Sequence, residues 1–107
     1  MKTEIKEKWV VALRSGAFAQ ARLRLSHSNG GFCCLGVLCK VIHPGDDPKV
    51  HSASDAPTGA KLANGFLDTE TLNIAGLIDE EQKTLSGLND VREWDFARIA
   101  DWVESNL

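Results

Sequence analysis

Ile5, Trp9, Ala12 and Leu13 recur at three- and four-residue spacing from Thr3 onwards, with polar residues between them, and Ser15-Gly16 follows. That period predicts an amphipathic helix with Gly16 in a C-cap position. Arg22-Leu23-Arg24-Leu25 then alternates polar and apolar, as a half-buried strand does, and leads into the turn formers Ser26-His27-Ser28-Asn29-Gly30-Gly31. The pattern predicts a short β-hairpin returning through Phe32 and Cys33. From Phe32 to Ile42 the chain is apolar except at Lys40, and His43-Pro44-Gly45 stops the run. Periodicity alone leaves strand and buried helix both open there. Two leucines and eleven residues favour a strand of two or three residues passing into a helix that is apolar nearly all round, which belongs at the domain centre.

Residues 44–65 contain all three prolines together with Gly45, Gly59, Gly65 and several Asp and Ser. They read as a polar connector loop, long for a compact domain. The second half reads as three short helices. Asp68 caps the first, over Thr69–Ala75, and Gly76 ends it; Asp79 caps the second, over Glu80–Ser86. Asn89-Asp90 turns the chain. Asp95 caps the last helix, on which Phe96, Ile99, Ala100 and Val103 form one apolar stripe, with Trp94 and Trp102 at its borders. The expected fold is α+β and mainly α, a single domain over 1–107: helix, short hairpin, buried central helix and three C-terminal helices.

At 107 residues, with 43% hydrophobic and 25% charged residues, the chain fits one globular domain. Its longest uncharged apolar run is far short of the ~20 residues of a membrane span. The alternating charges of Met1–Lys8 do not form a signal peptide, and the three cysteines are odd in number; both favour reduced thiols and a cytoplasmic location. The net charge of −3 divides unevenly. Residues 1–49 carry eight Lys/Arg and four Asp/Glu, or +4; residues 50–107 carry four and eleven, or −7. The basic residues form no run, which argues against a dedicated nucleic-acid binder.

Three thiols lie within seven residues, at Cys33, Cys34 and Cys39. On a helix they point in three directions at least about 100° apart, and only Cys39 and His43 share a face. No C-x-x-C knuckle is present, so metal binding is disfavoured and buried reduced thiols acting as small apolar residues fit better. Cys39 and His43 could form a dyad, but a cysteine nucleophile needs partial exposure and this run looks buried. No P-loop, dinucleotide glycine pattern or H-E-x-x-H occurs. The sequence therefore assigns no catalytic residue, no cofactor and no metal ligand.

The order Lys8-Trp9-Val10-x-Ala12-Leu13-Arg14-Ser15-Gly16, Phe32-Cys33-Cys34-Leu35-Gly36-Val37-Leu38-Cys39, Leu85-x-x-Leu88-Asn89-Asp90 and Phe96-Ala97-x-Ile99-Ala100-Asp101 resembles small uncharacterised proteins of tailed bacteriophages and prophages. The resemblance spans most of the chain outside 44–65. In that family the tail helix often opens with Ser and carries an acid three positions on. Here Asp95 and Arg98 stand at those places, so the cap is kept and the reciprocal acid of a capping box is lost. The resemblance implies a phage or prophage origin and a bacterial host cytosol, and it implies no activity.

Three function classes remain open. The first is a non-enzymatic accessory protein that binds and modulates a bacterial host factor, such as a defence system; its partner is a host protein, with a small nucleotide as a second ligand class. The second is a nucleic-acid-associated regulator using an arginine-rich hairpin face, Arg22 and Arg24 with Arg14 beside them. The third is a small enzyme using Cys39 and His43 or a metal. The candidate binding residues are Arg14, Arg22, Arg24, Asn89 and Asp90, with the last two also suited to a structural role in the turn.

Overall fold

The computed structural model describes residues 1–21, 31–44 and 67–107. Helix α1 (Thr3–Arg14) ends at Ser15, and Gly16 follows with φ +75°. Two short strands, β1 (Ala19–Gln20) and β2 (Gly31–Phe32), lead to the central helix α2 (Cys34–Ile42). Helices α3 (Thr69–Ala75), α4 (Asp79–Asp90) and α5 (Phe96–Asn106) complete the described chain. This is the mainly helical α+β architecture that the hydrophobic pattern predicts. Arg22, Arg24, His27, His51 and the connector beyond Pro44 lie outside the described residues.

The core forms around α2. Six consecutive residues, Cys34 to Cys39, are buried, so this helix has no solvent face in that stretch. It packs against α1, α3 and α4, while α1 also lies along α5. Trp9, Val10 and Leu13 of α1 and Phe96, Ile99, Ala100 and Val103 of α5 close the same cluster. Fully burying an aliphatic side chain of this size contributes about 1.5–3 kcal/mol. The stripe on α5 is therefore a large part of what holds the fold.

Local chemistry sets the helix ends. The Asp68 carboxylate accepts from Thr71 N at 2.8 Å, and Asp95 accepts from Arg98 N at 2.9 Å. Each satisfies one of the amides that a helix start leaves unpaired. Gly76 closes α3 at φ +73°, with Lys2 N 3.2 Å from where a Cβ would sit. Both the backbone angle and the space select glycine there.

Two expectations are corrected. The strands pair in parallel, Ala19 with Gly31 and Gln20 with Phe32, and do not form a hairpin. Tight turns join antiparallel neighbours only, so the turn formers before Phe32 do not fix the pairing. The described first strand is Ala19–Gln20; the strand expected over Arg22–Leu25 lies outside the described residues. The second correction concerns α4, which begins after Ile78 and runs through Asn89 and Asp90. Asp79 is therefore inside the helix, where its carboxylate accepts from Gln82 Nε2 at 2.8 Å and pairs with Lys83 at 3.0 Å. The chain reverses after Val91, where Glu93 takes φ +56° and Trp94 N donates to Leu88 O at 3.0 Å.

Candidate functional site

The three thiols are free and buried. Burial pushes the Cys33 thiol up to about 12 and holds Cys34 well above its ordinary value, because a thiolate there would lose its hydration. Cys34 Sγ lies 3.6 Å from Leu85 O, as a weak donor. Cys39 is 1% exposed, and His43, four residues on, places Nε2 3.1 Å from Thr71 Oγ1. Among the described residues, no group of three or more His, Cys, Asp or Glu side chains is placed to hold a metal ion. Nucleophilic chemistry would require the core to open first.

The residues chosen for binding are pulled apart. Asn89 is fully buried. Its Oδ1 accepts from Cys34 N at 3.2 Å and from Gln20 Nε2 at 2.9 Å, while its Nδ2 donates to Ala21 O at 2.9 Å. Gln20 Nε2 also reaches Trp94 O at 2.7 Å. The Asn89 and Gln20 amides together join β1, α2, α4 and the turn before α5. Asp90 accepts from Asn89 Nδ2 at 2.8 Å and from Ser86 Oγ at 3.1 Å, so it supports the same network.

Arg14 is engaged as well. Its guanidinium pairs with Asp101 at 2.5 Å and with Glu104, tying the end of α1 to α5. These carboxylates hold its pKa above the ordinary arginine value, Glu104 first and Asp101 next. A phosphate approaching Arg14 would meet two carboxylates.

The accessible chemistry collects elsewhere, on one face of α4 and the turn after it. Lys83, Gly87 and Val91 follow at four-residue spacing, with Thr84 and Leu88 beside them, so they share a helix face. Gly87 contributes no side chain to that row, and nothing lies within 4 Å of where its Cβ would be. The gap is the floor of an open groove of about 500 Å³, completed by Arg92, Trp94 and Trp102. Both tryptophans are half-buried against the core, and Val91 is 81% exposed. The Arg98 guanidinium stacks over Trp94, 4.0 Å from the ring centre.

The charges around this groove invert those of its surroundings. Residues 67–107 carry ten Asp/Glu and only three Lys/Arg, namely Lys83, Arg92 and Arg98. Lys83, paired with Asp79, and Arg92 line the groove, Arg98 covers the ring of a lining tryptophan, and no acid among the described residues lines it. Sequence periodicity could have located the α4 row through Gly87, the one glycine inside that amphipathic helix. Trp102, on a different helix, carries no local signal that it faces the row.

None of the described helices is long and apolar enough to cross a membrane. Residues 1–63 match the model of the family described as a domain of unknown function, DUF8296. The groove residues lie in the remainder of the chain. No curated protein and no solved structure matches the chain.

Proposed function

The chain belongs to the DUF8296 family, and from that premise we propose that it acts by binding: a phage or prophage accessory protein that docks on a host bacterial protein in the cytosol and modulates it without chemistry of its own. The carrying observation is the division of its reactive and recognition groups. The thiols are sealed in the core, with burial raising the pKa of Cys33 and Cys34, whereas two tryptophans and two cations line an open groove. Aromatic side chains with nearby arginine are the types that dominate protein recognition energetics. Exclusion of the thiols from solvent supports binding over the Cys39–His43 enzyme. The two carboxylates on Arg14 weigh against the nucleic-acid reading.

Affinity capture of host proteins from a nuclease-treated bacterial lysate, with Cys39→Ala and His43→Ala run beside the wild type, tests this reading. A specific host protein recovered equally by all three supports it. Recovery of nucleic acid that falls steeply with salt in an untreated lysate would favour the regulator instead. Loss of the protein's effect on its host in a folded Cys39→Ala variant would favour the enzyme.

A further inference from the structure

Resting on that reading, we propose that the α4 groove receives an acidic segment of the partner protein that carries an apolar anchor between its carboxylates. The floor and walls from Gly87, Leu88, Val91, Trp94 and Trp102 offer apolar and aromatic surface to a side chain entering the trough. Around it stand the basic residues of an otherwise acidic half, with none of that half's carboxylates in the lining. Like charges juxtaposed across an interface repel, so such a local inversion selects an anionic partner.

The spread of the cations decides between a peptide and a small nucleotide. Lys83 lies within α4 and Arg92 just past its C-cap, Val91, with eight residues, roughly 12 Å of backbone at about 1.5 Å per residue, between Lys83 and that cap. A phosphate site needs cations converging on one point. Cations attached this far apart along the backbone suit carboxylates about four residues apart on an extended chain rising about 3.3 Å per residue. One face of Trp94 is already covered by Arg98, which leaves less ring for a stacked base. The Arg92 guanidinium has no partner among the described residues, and the exposed Lys83–Asp79 pair is of the kind that exchanges at little cost.

The test uses the full chain labelled with ¹⁵N and follows the three indole N–H signals. The probes are a synthetic peptide with the sequence Glu-Leu-Phe-Leu-Glu, the same peptide with lysines at its ends, and adenosine monophosphate. The expected result is a shift of the Trp94 and Trp102 signals with the acidic peptide alone, while buried Trp9 stays in place. Arg92→Glu should weaken the peptide at least about tenfold, Gly87→Trp should abolish the response, and Gly87→Ala should preserve it. No shift, an equal shift with the lysine peptide, or a response confined to the nucleotide overturns the proposal. Lysate capture separates this failure from failure of the binding reading. A host protein retained by Gly87→Trp removes the groove from the account and leaves the reading standing, whereas no host protein on the wild type removes the reading.

Discussion

Asn89 caps the central helix from another element: its Oδ1 accepts the Cys34 N–H at 3.2 Å, at the start of a helix whose own N-cap residue, Cys33, makes no side-chain cap. A helix start leaves its first amides unpaired, and burial makes an unpaired amide costly. The apolar run that gives α2 its place in the core also denies it a local polar cap. A residue 55 positions away in sequence supplies the acceptor.

Asn89→Ala should therefore lower stability by about 2–4 kcal/mol, since it orphans the Cys34 amide and the Ala21 carbonyl together and empties part of the core. Urea denaturation read by tryptophan fluorescence checks this through the midpoint. A loss below about 0.5 kcal/mol, the range of surface substitutions, would show that the network is dispensable.

This network marks the limit of what the sequence discloses. Asp68, Gly76 and Asp95 act on residues within a few positions, so their capping is legible in local order. The stripe Phe96, Ile99, Ala100 and Val103 is legible because burial on a helix repeats every three or four residues. Asn89 next to Asp90 reads as a turn by residue type, yet its side chain bonds to residues 55 to 69 positions away. Parallel pairing of Gln20 with Phe32 is equally non-local. The groove needs Gly87 and Trp102 on different helices to meet, and neither segment announces the other.

The thiols make stability depend on alkaline pH. Cys33 has a folded value of about 12 against an ordinary 9.0, and Cys34 is raised too, both chiefly by desolvation. Below pH 9 both states keep these protons and the stability is undiminished. From about pH 9 towards 12 the unfolded chain releases protons that the fold retains, so stability falls steadily as the pH rises through that window. Cys33→Ala should show a shallower decline than the wild type over that window in denaturation measured at successive pH values. Parallel slopes would mean that the Cys33 thiol ionises freely in the folded protein.

Arg14 and its two acids make an exposed clamp between α1 and α5, with the Arg14 and Asp101 side chains 40% and 73% exposed. Arg14→Ala should lower stability only slightly, and less at high salt, because water screens such pairs. Arg14→Glu should cost more, since it sets a third carboxylate against Asp101 and Glu104. Thermal unfolding at low and high ionic strength distinguishes the two; equal effects would place the clamp outside the energetics of the fold.

Gly87→Ala should raise stability by roughly 0.5–1 kcal/mol, as alanine restricts the unfolded chain and suits a helix interior. Its Cβ would enter open space, so no repacking opposes the gain. Thermal denaturation checks the sign. A destabilised variant would mean that the trough over Gly87 is filled in the free protein.

Recognition through the α4 groove is tested most directly by the amount of host protein captured by Gly87→Trp, Gly87→Ala and Cys39→Ala relative to the wild type, each confirmed folded by circular dichroism. Gly87→Trp should capture less by at least about tenfold, with the other two matching the wild type. Capture that survives Gly87→Trp and disappears in folded Cys39→Ala would contradict the account.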